Sequence, residues 1–416
     1  MFMKSLLKIV LLSFLITSVQ AREVLGNLSN ELNSYVQVDN SKMDLKMLKS
    51  LAEERNQDLD IAFENYIIAK RRVSVARAGL NPLTTGHVLG LALGLNYLWV
   101  PMAVNAVLSI PTHLYNISKN VSLRRAEYNN YTRALKVLNN EIAHLYFDIV
   151  THEVILKTID LEIDVYKAQL SSFETREEIS QARKDEVTKT IIGLNIEKIN
   201  IYNLFVEELA ALRTMVSRDI NDSKVELQQV PNEINDRFIQ NTDLERLENF
   251  ARQNSDEVEM LENLYDASIK NVKAVKWSLI TFEGLNFSYK RRVKIAKNEM
   301  EITRLERLTT ILKVKKTAIS KLDSLQSSLD VFENYKSLSL GSQYFHDGLY
   351  INYTNGIASE DSIVLTAVSA IRDFRNKVVA HYNALSAFDD LKLAAGYNFV
   401  FDPSGDNTIQ TQMESK

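Results

Sequence analysis

The sequence predicts a mostly α-helical protein with a small β part: long coiled-coil helical hairpins in two tandem repeats, with short transmembrane β-strands set between helices. Three observations carry this expectation. Only 12 Gly and 5 Pro occur among 416 residues, so the residues that interrupt helices are scarce. Apolar residues recur every three or four positions over very long stretches. One uncharged stretch, residues 88–110, abandons that rhythm and alternates with period two.

The N-terminus reads as an export signal. Lys4 and Lys8 precede and interrupt an apolar run over residues 9–16, and Val19-Gln20-Ala21 offers small residues at the positions that define cleavage. Residues 1–21 are therefore expected to be a signal peptide cut after Ala21. An uncleaved anchor is the alternative, for which the run is short. Residues 22–44 form an N-terminal segment. Cysteine is absent, which removes thiol catalysis, disulfides and Cys-based zinc sites. The formal net charge of −4 comes from 49 basic and 53 acidic residues mixed along the chain, so no nucleic-acid surface is expected.

The first repeat spans residues 45–230. Leu48, Leu51, Leu59, Ala62, Phe63, Tyr66, Ala69 and Val73 mark a helix over 45–80. From 120 to 181 neither Gly nor Pro occurs, and Leu135, Leu138, Ile142, Leu145, Ile149, Val150, Leu156 and Ile159 keep a near-heptad stripe. A helix of that extent reaches roughly 90 Å and must pack mainly on other long helices. Residues 185–216 supply its returning partner. The second repeat, 231–396, gives the same order over 243–276, 291–345 and 360–395. Pro231 stands at the junction, and residues 397–416 read as a disordered tail.

Two inserts break the helices. In residues 88–110, Leu91, Leu93, Leu95, Tyr97 and Trp99 share one face of an extended chain, and Gly90, Ala92, Gly94 and Asn96 share the other. Large apolar side chains on one face suit a pair of lipid-facing strands. The same 23-residue stretch also has the length of a transmembrane helix. The second insert, 277–290, is shorter. It carries Trp277, Phe287 and Tyr289 as its membrane-facing candidates, on strands of about six residues against the ~9–11 a spanning strand needs.

At this point the chain resembles the TolC family of outer-membrane efflux ducts. Asn56-Gln57-Asp58-Leu59 opens a helix that ends Ala76-Arg77-Ala78-Gly79-Leu80-Asn81-Pro82, similar to the family's first helix. Pro111-Thr112-His113-Leu114-Tyr115-Asn116 resembles its strand-to-helix exit, and Ala143 followed by Tyr146-Phe147-Asp148 resembles its long helix. Tyr353-Thr354-Asn355-Gly356-Ile357-Ala358-Ser359, then a helix ending Leu393-Ala394-Ala395-Gly396, resembles its last hairpin. The resemblance implies a homotrimer that shares one barrel in the outer membrane and one helical tunnel in the periplasm. It further implies docking by a periplasmic adaptor and an inner-membrane transporter. In family members acidic residues stand six and nine positions after the hairpin glycine and constrict the entrance. Here those positions are Ser362 and Leu365, with Glu360 and Asp361 just before. Glu360, Asp361 and Ser362 are the candidate gate.

Ser359 before Glu360-Asp361-Ser362 is also a plain helix start. His144, Asp148 and His152, with Glu141 one turn earlier, share a helical face. Such spacing can bind zinc or copper, or form an ordinary polar stripe. No phosphate loop, nucleophile elbow or HExxH occurs, so no catalytic residue, cofactor or resident metal is expected. Two rivals stand beside the duct. One is a degenerate periplasmic helical scaffold without transport. The other is an inner-membrane protein spanning through 88–110.

Overall fold

Helices form wherever the three-four rhythm runs. The computed structural model describes residues 25–37, 43–78, 96–174, 180–216, 227, 243–280 and 288–396. In chain order these hold α1 (Leu28–Ser34), α2 (Leu45–Arg55), α3 (Gln57–Ala78), α4 (Asn96–Glu174) and α5 (Gln181–Met215). Then come α6 (Leu244–Asn254), α7 (Asp256–Trp277) with a 3-10 turn Ser278–Ile280, α8 (Tyr289–Thr354) and α9 (Glu360–Ala395). From α2 the helix lengths run 11, 22, 79 and 35 residues, and from α6 they run 11, 22, 66 and 36.

The opening helix of each half, expected as one element, is cut in two. At Asn56 the side-chain Oδ1 accepts from the Leu59 N–H at 3.0 Å, and at Ser255 the Oγ accepts from the Val258 N–H at 3.3 Å. Each cap gives the restarting helix a partner for an otherwise orphaned donor, so the break is tolerated.

Where strand was expected over 96–110, the described residues form the start of α4, and Tyr97 and Trp99 lie in that helix. Trp277 closes α7, 40% exposed, and Tyr289 opens α8 with its hydroxyl 3.3 Å from the Lys276 carbonyl. The physical reason is backbone pairing. A strand pair of one chain leaves its outer N–H and C=O groups unpaired, whereas a helix satisfies its own. Leu91, Leu93, Leu95 and Phe287 lie outside the described residues, as do the signal segment 1–21 and the tail 397–416. Among the described residues no named strand occurs. The pairing there is an isolated parallel bridge, Met43 with Leu227. No described helix is long and apolar enough to cross a membrane.

The chain divides into two compact units, and each draws on both halves of the sequence. The first comprises residues 1–52, 141–236 and 323–389. Its core is built by Ile142, Val150, Val154, Ile159 and Val165 of α4, Ile371, Phe374 and Val378 of α9, and Leu325 and Phe332 of α8. Asp160 pairs with Lys198 of α5 at 2.5 Å, and Ser342 of α8 donates to Asp373 of α9. The second unit comprises residues 53–140, 237–322 and 390–416. There α3 meets α4 through Phe63–Tyr131 and Tyr66–Tyr128, each with ring centroids 5.5 Å apart. α4 meets α7 through Lys136–Asp256 at 2.5 Å, and α7 meets α8 through Glu262–Arg307 at 2.9 Å.

A second set of apolar stripes faces outward. In the first unit Ile192, Ile196, Ile199 and Val206 line the exposed side of α5, and Val331, Leu338 and Phe345 line that of α8. In the second unit the exposed sides are Ile61, Ile68 and Val75 on α3, and Ile295, Ile302, Leu305 and Leu312 on α8. Their seven-residue spacing is that of a coiled-coil seam.

Candidate functional site

The turn that ends the last hairpin is a backbone device. α8 stops because Gly356 takes φ 73°, with its N–H on the Tyr353 carbonyl at 3.0 Å and the Ile357 N–H on the Asn352 carbonyl at 2.8 Å. This left-handed cap closes the orphan carbonyls of the last turn. Ser359 then caps α9, its Oγ accepting from the Ser362 N–H at 3.3 Å and lying 2.7 Å from the Ser362 Oγ. The helix-start reading of this motif is therefore realised.

The capped turn aims the candidate gate. Ser172 of α4 donates to Glu360 at 2.7 Å, and Gln169 of α4 donates to Asp361 at 3.2 Å. Arg183 of α5 also pairs with Asp361, and its guanidinium lies 5.5 Å from the Phe173 ring centroid. Both acids thus face α4 and α5. Ser362 and Leu365 lie on the exposed face of α9, with Leu365 67% exposed. A step of one residue turns a helical side chain by about 100°, which separates the two faces.

Further along the same helices lies a buried charge cluster. Glu162 of α4 has a side chain 0% exposed. It accepts from Arg372 at 2.7 and 3.0 Å and from Arg375 at 2.9 Å, both of α9. Arg375 also donates to Thr158 at 3.0 Å and approaches Glu197 of α5 at 3.5 Å. Motif reading missed Glu162, Arg183, Arg372 and Arg375. A faint signal existed in Leu161-Glu162-Ile163, an acid between two residues that are themselves buried.

The metal candidate resolves differently. His152 Nδ1 lies 2.7 Å from Glu208 of α5, which makes an inter-helix polar contact. Burial raises the carboxyl of Asp148, and the nearby His144 and His152 pull it back. Burial also raises Glu208, against the hydrogen bond from His152. Among the described residues no group of three or more His, Cys, Asp and Glu side chains could hold a metal ion.

One buried histidine sets an acid limit on stability. His381 of α9 is 2% exposed, packs on Phe332 and Tyr382 at 5.1 Å each, and neither ring nitrogen has a hydrogen-bond partner. Burial first, and Lys377 second, push its pKa down from 6.5 to about 4. The folded chain resists the proton that the unfolded chain accepts. Stability from this residue is thus full above pH 6.5 and is lost as pH falls toward 4, by about 3 kcal/mol. Raised Asp148 and Glu208 act with the opposite sign. Subtracting the pH profile of His381→Phe from that of the wild type is expected to isolate this loss. Parallel profiles would refute it.

No family profile and no curated protein sequence matches the chain. Solved structures do. VceC, an outer-membrane protein of Vibrio cholerae, superposes with TM-score 0.63 at 10% identity, covering 85% of this chain and 96% of that one. The CmeC outer-membrane channel of Campylobacter jejuni gives 0.64 at 12% identity, covering 86% and 87%. The open-state MtrE outer-membrane channel of Neisseria gonorrhoeae gives 0.59 at 13%, covering 85% and 88%. The chain has the TolC-type fold.

Proposed function

We propose that the chain is the protomer of a TolC-like outer-membrane duct, a passive path for efflux or type I-like export across the periplasm and outer membrane. The observation that carries this reading is the pair of outward apolar seams left in each unit. A monomer rarely leaves such faces in water. The two stripes of each unit differ, one on α5 or α3 and one on α8. Copies therefore associate head to tail, and head-to-tail contacts close into a ring when the rotation permits. A homotrimer is the ring that the TolC resemblance implies. Segments 88–110 and 277–290 would meet outer-membrane lipid, with Leu91, Leu93, Leu95, Tyr97, Trp99, Trp277, Phe287 and Tyr289 toward it. In the ring those segments gain the strand partners that a single chain lacks. A periplasmic adaptor and an inner-membrane transporter would supply the energy, since the sequence holds no nucleotide-binding motif.

Opening separates α8 and α9 from α4 and α5 at the 355–359 turn. Arg183 and Asp361 are 50% and 38% exposed, so their pair contributes only about 0–1 kcal/mol. The Glu162 cluster is buried, and losing one partner there costs about 3–5 kcal/mol. The turn therefore yields first, and the Glu162 level acts as the pivot.

Single-channel conductance of the mature protein in planar bilayers tests the duct, repeated with Asp361→Asn. Stable conductance steps are expected, with a several-fold higher open fraction in the variant because Arg183 loses its charged partner. Conductance indifferent to the substitution would remove the Asp361 latch. Absence of insertion by a folded oligomer would favour the periplasmic scaffold. One feature of the sequence supports that rival: the second insert, 277–290, has room only for strands of about six residues against the ~9–11 that a spanning strand needs.

A further inference from the structure

Contacts inside the first unit set the relative heights of its two exposed seams. Arg183 meets Asp361 and Glu197 meets Arg375, each pair 178 positions apart, so α5 and α9 run side by side in the same sense. α8 runs against α9, with Ser342 on Asp373 and Phe332 on His381. Asp373 comes two positions before Arg375 and is level with Asn195 of α5, which brings Gly341 close to the height of Ile196. His381 comes six positions after Arg375 and is level with Asn203. Asn334, two residues from Phe332, therefore stands within about 3 Å of the height of Asn203. We propose that α5 of one copy packs antiparallel on α8 of the next with no axial offset, and that Asn203 pairs with Asn334 of the next copy to fix that register. The proposal names the partner of each stripe in the ring and rests on the ring reading above.

The heptad phase of the sequence agrees with these heights. On α5 the exposed seam is Ile192, Ile196, Ile199, Asn203 and Val206. On α8 it is Val331, Asn334, Leu338, Gly341 and Phe345. Set antiparallel with Asn203 on Asn334, the two rows match one to one: Val206 on Val331, Ile199 on Leu338, Ile196 on Gly341, and Ile192 on Phe345. Buried Leu194 of α5 and buried Phe332 of α8 stand about 160° round from Ile196 and Asn334, two positions on, so both seams point away from the core of the unit. At Gly341 no described atom lies within 4 Å of where a Cβ would stand, and the notch is open to Ile196 of the neighbour. A glycine inside a helix weakens it, which a close approach by another helix offsets.

Each seam has one asparagine among its apolar residues. An amide carries both donor and acceptor, so two facing asparagines satisfy each other when water is excluded. A slip of one heptad, about 10 Å, sets Asn334 on Ile196 and Asn203 on Gly341 and strands both amides. A polar residue at one seam position is a means by which coiled coils specify register and copy number. Equal heights also bear on closure. Copies related by rotation about an axis along the helices keep their heights, whereas a rise between copies builds an open filament. The offset that pairs the asparagines is the one that closes a ring.

Disulfide formation in the full-length oligomer tests the register, since the chain has no cysteine of its own. On oxidation, Asn203→Cys with Asn334→Cys is expected to link most chains into a closed covalent ring that reduction releases. Either single variant is expected to give less than a tenth of that yield, because the seam joins unlike helices. Ile199→Cys with Val331→Cys, which meet only after a one-heptad slip, is expected to stay equally low. Adding Asn203→Leu with Asn334→Leu to that slipped pair is expected to raise its yield at least five-fold. A 203–334 yield no better than the slipped pair, strong linkage in a single variant, or a slipped pair indifferent to the leucines would each overturn the proposal. Planar bilayers then separate the two readings. A locked 203–334 ring that gives no conductance steps refutes the duct and leaves the seam standing. Conductance from a chain that links only in another register keeps the duct and discards the seam. A folded chain that stays monomeric discards both.

Discussion

Replacing Glu162 with alanine is expected to destabilise the first unit by about 3–5 kcal/mol, the largest effect of any single substitution outside its apolar core. The carboxylate is fully buried and receives three hydrogen bonds from two arginines. Its loss leaves the Arg375 guanidinium, 13% exposed, without its main counter-charge. Arg372 is 53% exposed and can turn to water, so it adds less. Glu162→Gln keeps acceptor geometry and should cost less than alanine. The double variant Glu162→Leu with Arg375→Met should recover most of the loss, because an apolar pair needs no compensating charge. Urea unfolding followed by far-UV circular dichroism measures all three. A Glu162→Ala variant within 1 kcal/mol of wild type would mean that water reaches the cluster.

Ile196→Asp combined with Ile199→Asp is expected to abolish the oligomer while leaving the helices folded. Both side chains stand on the exposed stripe of α5, at 57% and 60% exposure. Burying an isoleucine stabilises by about 1.5–3 kcal/mol, and an unpaired carboxylate in the same place reverses the sign. In a closed ring the loss repeats at every seam, so the effect is multiplied. Leu338→Asp on the facing stripe of α8 should give the same phenotype from the other side. Native mass spectrometry of the purified chain reads the outcome. An oligomer that survives both sets would place the seam elsewhere and remove the main support for the duct.

Much of the fold was legible because helices are local. The stripe from Leu135 to Ile159 announced α4, and Ser359 announced the start of α9. The order of helices in the two halves was legible too, but the breaks at Asn56 and Ser255 were not, and α4 runs on through Pro101 and Pro111. The candidate gate was legible only as composition. Glu360 and Asp361 were visible, but their direction depends on where the Gly356 turn sets the phase of α9. Arg183, which meets Asp361 from 178 residues away, gave no local sign. Glu162 and Arg372 are separated by 210 positions, and no periodicity connects them.

The stretch 96–110 draws the boundary between sequence and tertiary structure most clearly. Its lack of charge and its alternation were written in the residues, and by themselves they allowed a strand or a helix. What decides is whether a neighbouring strand offers its N–H and C=O groups. In the single chain the backbone pairs with itself as the start of α4. The sequence by itself determined a long-helix protein without thiol chemistry. Only the tertiary structure decided which acids are paired, which apolar stripes stay exposed, and that the N-terminal segment packs on α8 through Ser29–Asp347. Periodicity is a property of neighbours along the chain, whereas pairing of buried charge and burial of one helix face are set by residues hundreds of positions apart.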